Sequence, residues 1–282
     1  MIQYYLYKFG KFFVERLPLS LSYKLAGFIS DIRYYIATRD RRNVKNNLKV
    51  ILPGSQDIPR LSKEVFRNFA KYLVDFFYLA KRMNPEYIRE HVTIKNLNYL
   101  PDVLKNGKGG IILTAHVGNW ELGGFTISRL GYPLIAVALP HKERSVNNLF
   151  NSQRESHGMT IVPNNVAIRE CIKGLRDNRL IALLGDRDFN AAGEVLEFFG
   201  KQTRFPKGPA AFSLKTGAAI IPAFFTRDNG DHFTLTFEKP IFPPENVDDS
   251  SSINMMREYI KIVEETIQQH PTQWYMFQRF WL

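Results

Sequence analysis

The spacing of hydrophobic residues changes near residue 90. Before that point they recur at helical intervals, and in 59–81 they form a wide stripe along one face. From Val92 onward, short apolar runs alternate with longer amphipathic segments. Such alternation favours an α/β fold with a mostly parallel central sheet flanked by helices. The helical residues that precede it then form an N-terminal layer.

These two kinds of segment predict the order of elements. Strands are expected near 92–95, 109–115, 133–139, 159–163, 179–184, 195–199, 219–225 and 232–238. Helices are expected near 97–106, 119–130, 144–157, 165–177, 206–216 and 252–270. Because no linker, repeat or low-complexity tract divides the sequence, we expect one domain over 1–282. Within it, 1–90 would be a helical, membrane-facing layer and 91–282 the catalytic α/β core.

A formal net charge of +11, from 38 basic and 27 acidic residues, predicts a negatively charged partner. Anionic lipid headgroups, a phosphorylated substrate, an acidic carrier protein and nucleic acid all fit this charge. We expect no nucleic acid partner, because no recognised binding module is present. The single cysteine, Cys171, excludes a disulfide framework and a cysteine-based zinc site, and it favours the reducing cytoplasm.

Aromatic and basic residues are concentrated in 2–16. They are Tyr4, Tyr5, Tyr7, Phe9, Phe12 and Phe13, with Lys8, Lys11 and Arg16 among them. A helix of this composition suits a membrane interface, and the alternative is a helix packed in the core. The adjoining segment 31–49 has an excess of Arg and Lys, which favours the membrane. No segment offers the roughly 20 uninterrupted apolar residues of a spanning helix, so we expect peripheral attachment.

The strongest candidate chemistry follows the apolar run 111–115, which is typical of a strand buried on both faces. His116 stands at its end, Gly118 permits a sharp turn, Asn119 is a plausible helix N-cap, and Glu121 falls in the first helical turn. Across such a corner the side chains of His116 and Glu121 can converge. A carboxylate on one ring nitrogen leaves the other nitrogen as a general base. The alternative is a structural histidine.

The sequence His-Val-Gly-Asn-Trp-Glu at 116–121 closely resembles the signature of the bacterial lipid A biosynthesis acyltransferases. These belong to the wider group of His-x4-Asp/Glu glycerolipid acyltransferases. The resemblance extends over nearly the whole chain, including Arg41-Arg42-Asn43-Val44 and the segment after Pro271. The chain departs from the family at 278–280, where Gln-Arg-Phe replaces His-Arg-Arg. A second expected departure is that residues 1–30 do not form the family's N-terminal hydrophobic anchor.

Other candidate residues follow later strands. In Gly185-Asp186-Arg187-Asp188, Arg187 either binds a phosphate or pairs with a neighbouring aspartate. This block resembles the family's aspartate-rich motif, which implies that Arg187 and Asp188 bind substrate. Arg154 resembles a family arginine that faces the substrate, and surface solvation is the alternative.

Lys207 and Gly208 open a predicted helix, where free backbone N–H groups and the helix dipole favour an anion. The alternative is an ordinary strand-to-helix turn. This loop resembles the phosphate-binding loop of the glycerolipid acyltransferases, which implies a substrate-binding role. His141 and His157 have no metal-like partner in the sequence, so no metal site is expected.

The predicted reaction is acyl transfer at a membrane surface, without metal, cofactor or covalent intermediate. His116, paired with Glu121, would deprotonate an acceptor hydroxyl as it attacks an acyl thioester, and the backbone N–H groups of Gly118 and Asn119 would stabilise the oxyanion. No Gly-x-Ser-x-Gly elbow is present, and Cys171 has no nearby base in sequence.

The resemblance implies a lipid A precursor as acceptor and acyl carrier protein as donor, at the cytoplasmic face of the bacterial inner membrane. One alternative is acylation of a phospholipid or glycosylated phosphoinositide from acyl-CoA. Two alternatives from other classes are a basic nucleic-acid-binding protein and an inactive lipid-binding relative.

Overall fold

The computed structural model describes residues 2–163, 166–189 and 191–282. Its helices are α1 (Ile2–Val14), α2 (Leu19–Ile36), α3 (Thr38–Ile51), α4 (Ile58–Tyr78), α5 (Pro85–His91), α6 (Tyr99–Leu104), α7 (Trp120–Arg129), α8 (Arg144–Glu155), α9 (Ala167–Arg176), α10 (Gly208–Thr216) and α11 (Ser251–Gln269). Its strands are β1 (Val92–Lys95), β2 (Gly110–Thr114), β3 (Leu134–Ala138), β4 (Thr160–Pro163), β5 (Leu180–Leu184), β6 (Glu194–Phe198), β7 (Lys201–Phe205), β8 (Ala219–Asn229) and β9 (His232–Phe237).

The central sheet has the strand order β1-β9-β8-β2-β5-β3-β4. Neighbouring strands are parallel except for β8 and β9, which form an antiparallel pair. Strands β6 and β7 form a separate antiparallel hairpin. The sequence-based prediction of an α/β fold with a mostly parallel, helix-flanked sheet is therefore confirmed.

Two strand predictions differ from the structure. Strand β7 was not expected, because its sequence is mostly polar and only Thr203 and Phe205 are buried. Strand β8 continues to Asn229, beyond the predicted end near 225, because its polar end pairs with β9 in a hairpin rather than with the buried strands. Both cases are exposed antiparallel ladders, where backbone hydrogen bonds continue past the hydrophobic pattern.

Strand β2 lies at the centre of the sheet and is buried on both faces, as its apolar run predicts. Ile111 and Leu113 belong to the core on one side, together with Cys171 of α9. Ile112 belongs to the core on the other side, together with Phe125 of α7. Because β2, β5 and β8 are buried and parallel, the residues that follow β2 and β5 emerge together at one edge of the sheet.

The N-terminal helices form a layer beside this edge. Helices α2 and α3 pack against α4, and the cluster between them includes Tyr34, Leu48 and Phe66. Helix α1 packs through Tyr7, whose ring lies 5.4 Å from that of Phe150. Its opposite side is exposed, so α1 is not a helix buried in the core on all sides, and its contact with a membrane stays a prediction.

The exposed sides of α1 and α2 carry large apolar side chains that we call the N-terminal apolar face. Its members are Tyr5, Leu6, Phe9, Phe12, Phe13, Leu21, Leu25, Phe28, Ile29, Ile32, Tyr35 and Ile36, each more than 40% exposed. Within 2–163, 166–189 and 191–282, no helix has both the length and the apolar character needed to cross a bilayer.

Candidate active site

The register of β2 and β5 brings His116 and Asp186 together. Thr114 pairs with Leu184 at the ends of the two strands, and the Gly185 N–H donates to the Thr114 carbonyl at 2.8 Å. Continuing this register by two residues sets His116 beside Asp186. Both residues thus leave the sheet at its carboxyl edge, where ligands bind in open α/β sheets.

The fully buried carboxylate of Asp186 takes part in three hydrogen bonds, one of which holds the imidazole of His116. His116 Nδ1 lies 2.7 Å from Asp186 Oδ1, and the His116 backbone N–H donates to Oδ2 at 3.0 Å. The Trp274 indole N–H also donates to Oδ2, at 3.1 Å. Burial acts to raise the pKa of Asp186, but His116 and the Arg187 charge outweigh it and lower that pKa to about 2. The ionised carboxylate accepts a hydrogen bond from Nδ1–H, which leaves Nε2 as the basic nitrogen.

The sequence-based pairing of His116 with Glu121 is therefore corrected. Glu121 is buried, but its carboxylate binds Arg154, with Arg154 Nη2 2.6 Å from Oε1 and Nε 2.9 Å from Oε2. This fork-to-fork geometry uses both carboxylate oxygens. The turn between His116 and α7 directs the two side chains to different partners. Arg154 therefore neutralises a buried acidic group, and its contact with substrate stays a prediction.

The predicted N-cap is present, whereas the predicted oxyanion donors are already occupied. The side chain of Asn119 accepts the Leu122 N–H and caps α7. The Gly118 N–H donates to the Gln273 carbonyl at 2.9 Å, and the Asn119 N–H donates to the Phe225 carbonyl at 2.7 Å. Gly118 has φ +63°, and a Cβ there would lie 2.1 Å from the Phe225 oxygen. These two residues fix the turn, and their N–H groups are not available to an oxyanion.

A buried acidic residue of the N-terminal layer holds this turn. Asp75 on α4 is fully buried and accepts hydrogen bonds from the Asn119 amide at 3.1 Å and the Tyr23 hydroxyl at 2.6 Å. The Arg227 guanidinium pairs with the same carboxylate. Burial raises the pKa of Asp75, although Arg227 acts to lower it. This network was not predictable from the sequence, because Asp75, Asn119, Tyr23 and Arg227 lie far apart along the chain.

The segment after Pro271 completes the site. The Tyr275 N–H donates to the His116 carbonyl at 2.9 Å, and Val117 pairs with Trp274 in an isolated antiparallel bridge. The guanidinium of Arg187 donates to the Tyr275 carbonyl. The closing segment therefore acts as a brace for the His116 turn, a role that its sequence did not reveal.

One cavity of about 710 Å³ opens at this edge of the sheet. All the sequence-predicted site residues line it except Gly118 and Asn119, namely His116, Glu121, Arg154, Arg187, Asp188, Lys207 and Gly208. Its apolar wall includes Ile112, Leu134, Met159 and Phe225. A cavity of this size, mostly apolar with a few polar groups at one place, suits a ligand that carries an alkyl chain.

Three charged residues of the cavity, Arg187, Lys207 and Asp188, differ in whether their polar atoms have partners within the protein. Arg187 Nε is buried and has no hydrogen-bond partner within the described ranges. Lys207 is half exposed, and its Nζ lies 2.7 Å from Glu194 Oε2. Asp188 accepts the Gly193 N–H at 2.7 Å. Arg187 therefore has one donor without a hydrogen-bond partner among the described residues, whereas Lys207 and Asp188 are bound to neighbouring residues.

Cys171 does not belong to the cavity lining. It lies on the buried side of α9, and burial raises the pKa of its thiol to about 11. A thiol in this state is a poor nucleophile at neutral pH.

The chain is similar to known acyltransferases. The family model for the bacterial lipid A biosynthesis acyltransferases matches residues 1–282. The chain is 26% identical over 282 residues to a phosphatidylinositol mannoside acyltransferase of Mycolicibacterium smegmatis, covering 98% of this chain and 90% of that protein. It is 24% identical over 267 residues to a lipid A biosynthesis acyltransferase of Haemophilus influenzae, covering 92% and 83%.

Among solved structures, a 1-acyl-sn-glycerophosphate (LPA) acyltransferase from Thermotoga maritima is similar, with a TM-score of 0.40 and 14% identity over 87% of this chain and 95% of that chain. The family match and the curated relatives confirm both the resemblance seen in the sequence and the prediction of an acyltransferase. The chain belongs to the bacterial lipid A biosynthesis acyltransferase family.

Proposed function

We propose that the protein transfers a fatty acyl group from an acyl thioester to a hydroxyl group of an anionic glycolipid. The observation that carries this proposal is the His116–Asp186 pair beside a large, mostly apolar cavity. The pair supplies a base, and the cavity supplies room for an acyl chain. Membership of the family supports the reaction class.

The proposed reaction proceeds in one active site without an acyl-enzyme. His116 Nε2 accepts the proton of the acceptor hydroxyl while the hydroxyl oxygen attacks the thioester carbonyl carbon. The tetrahedral intermediate then collapses, the carbon–sulfur bond breaks, and the imidazolium returns its proton to the leaving thiolate. Asp186 stabilises the imidazolium and keeps the tautomer that leaves Nε2 free, since its carboxylate is already ionised.

The oxyanion of the tetrahedral intermediate needs a hydrogen-bond donor other than the N–H groups of Gly118 and Asn119, which are already occupied. Arg187 is the best-placed side chain, because it follows Asp186, lines the cavity and has an unpaired Nε. We assign it to the developing oxyanion or to a phosphate of the bound lipid. Lys207 and Gly208, nearer to solvent, are assigned to a phosphate of the donor or acceptor, for which Lys207 must leave Glu194.

Two acceptors and two donors remain to be separated by experiment. The acceptor would be a lipid A precursor or a phosphoinositide mannoside, and the donor acyl carrier protein or CoA. Purified protein should be incubated with each donor and acceptor in turn, and lipids of cells with and without the protein compared by mass spectrometry. We expect one acceptor to gain one acyl chain, with a mass increase equal to that chain. If no lipid changes in cells and no combination reacts in vitro, the proposal is wrong.

We further propose that the N-terminal apolar face docks peripherally on a membrane, at the cytoplasmic face of the bacterial inner membrane. Exposed Lys8 and Lys24 lie on the same two helices, and exposed Arg16 lies in the turn between them. A basic residue near an anionic surface contributes roughly 1 kcal/mol, screened by salt. Tyr7 lines the cavity from α1, so docking through this helix would bring the cavity close to lipid.

Vesicle flotation tests the docking proposal. The protein should bind vesicles that contain phosphatidylglycerol better than vesicles of phosphatidylcholine alone, and high salt should release part of it. Replacing Leu6, Phe9, Phe28 and Ile29 with serine should lower the bound fraction by at least about tenfold, because each large apolar side chain contributes to insertion. This variant keeps Tyr7 and the packed side of α1, which a deletion of the helix would remove.

The matched control replaces Phe242 and Val247 with serine. These residues are 54% and 60% exposed and lie after β9, outside the N-terminal apolar face. The control should float like the unmodified protein. Equal flotation of all three proteins would show that membrane contact occurs elsewhere or not at all.

A further inference from the structure

Two histidines meet at the edge of the sheet because of the register between β1 and β9. Val92 pairs with Phe233 in this parallel ladder, so the preceding residues, His91 and His232, are neighbours. Their ring centroids lie 4.8 Å apart. Asp231, in the turn between β8 and β9, directs its carboxylate to the same place. None of these three residues lines the cavity of the candidate active site.

The three side chains offer one ligand atom each to a common point. His91 Nδ1 lies 3.3 Å from Asp231 Oδ2, and His232 Nδ1 lies 3.4 Å from Asp231 Oδ1. The three ligand atoms all lie within 4.8 Å of one another. In tetrahedral zinc sites with bonds of about 2.0–2.1 Å, neighbouring ligand atoms are roughly 3.3 Å apart. Each imidazole nitrogen already lies near this distance from a carboxylate oxygen of Asp231, although from a different oxygen in each case. A rotation of the exposed His232 side chain would bring the two nitrogens closer together.

Hydrogen bonding within the described residues does not account for this arrangement. His91 Nδ1 is buried and has no hydrogen-bond partner, although a carboxylate oxygen lies 3.3 Å away, because the contact is poorly aligned. An unsatisfied buried ring nitrogen costs free energy. A cation between the nitrogen and the carboxylate would satisfy both.

The surroundings fix the ligands in place. The Tyr87 ring stacks on His91 with centroids 4.2 Å apart and planes 10° apart. The Tyr87 hydroxyl donates to the backbone carbonyl of Asp231 at 3.1 Å. One tyrosine thus orients one ligand ring and anchors the turn that carries the other two ligands, which is how supporting residues tune metal sites.

We propose that His91, Asp231 and His232 bind one divalent transition-metal ion. Two imidazole nitrogens and one carboxylate oxygen suit zinc, nickel, cobalt or copper rather than magnesium or calcium, and zinc is the expected occupant in cells. Water would complete the coordination. The sequence alone predicted no metal, because His91 lies 140 residues before Asp231 and reaches it only through the β1–β9 register. The ion would link α5 and β1 to the β8–β9 turn and stabilise the native fold.

The test uses the full-length, tag-free protein and zinc chloride as the probe. Equilibrium dialysis with metal analysis should give one saturable zinc ion per chain at micromolar concentrations. At a hundredfold excess of zinc over the dissociation constant, the melting temperature should rise by roughly 5–10 °C. Cobalt should bind at the same site and give the visible absorption of a four-coordinate complex.

Asp231→Asn and His232→Ala are the informative variants, because both side chains are partly or fully exposed and the Tyr87–Asp231 backbone contact is kept. Each should weaken zinc binding by at least about tenfold and remove the thermal shift. His141→Ala removes an exposed histidine outside the cluster and should bind like the unmodified protein. The proposal is overturned if the unmodified protein shows no saturable binding, or if both cluster variants bind zinc as tightly as the control.

Discussion

Replacing His116 with alanine should lower the rate of acyl transfer by about 100- to 10,000-fold while leaving the fold intact. The variant loses an imidazole that lies at the carboxyl edge of β2, is held by an ionised carboxylate and can accept a proton from a hydroxyl. The backbone contacts of residue 116 with Asp186 and Tyr275 do not depend on the side chain and should persist. Initial rates with the active donor and acceptor, together with thermal melting, measure both effects.

Cys171→Ala provides the comparison. An acyl-enzyme route through the single thiol would lose activity in this variant, whereas the proposed direct transfer requires no nucleophilic side chain. Because Cys171 is buried in the core and its thiol pKa is raised, we expect near-normal turnover at temperatures where the variant is folded. A folded His116→Ala protein with near-normal activity would rule out the proposed mechanism.

The sequence predicted those features of the site that are determined by short stretches of neighbouring residues. The apolar run of β2, the glycine turn and the Asn119 cap of α7 follow from short-range preferences, and all are present. Gly118 is required because its φ is positive and the Phe225 carbonyl lies against it. Local sequence therefore predicted the position of His116.

The partner of His116 was not predictable in this way. Asp186 lies 70 residues away and reaches His116 only because β2 and β5 are neighbours with Thr114 opposite Leu184. Each residue follows its strand's end by two positions, and this equal spacing identifies the pair once the strand order is known. Glu121 was favoured because it is close in sequence, but α7 turns it toward Arg154 on α8. Register between distant strands is not encoded in the spacing of either motif.

The roles of Asp186 and Glu121 can be separated by conservative substitutions. Asp186→Asn should lower the turnover number by roughly 100- to 10,000-fold, with a smaller effect on KM. An amide has the shape of the carboxylate but no charge to stabilise the imidazolium, and its NH₂ group can hold the wrong tautomer. Glu121→Gln leaves the His116–Asp186 pair in place and should retain more activity. Glu121→Ala is a poor probe, because an unpaired buried Arg154 costs roughly 3–5 kcal/mol of stability.

Acid unfolding offers a second readout of Asp186 that does not depend on activity. Its folded-state pKa, about 2, lies below its ordinary value of 3.8. A carboxyl group with a lowered pKa stabilises the folded state above its unfolded-state pKa, and this stabilisation is lost as the pH falls from about 4 toward 2. For Asp186 the difference corresponds to about 2 kcal/mol. The unfolding free energy of the unmodified protein, measured with denaturant, should therefore fall more steeply over this interval than that of Asp186→Asn. Identical slopes, combined with equal activity losses in stable Asp186→Asn and Glu121→Gln proteins, would contradict the assignment of Asp186 as the partner of His116.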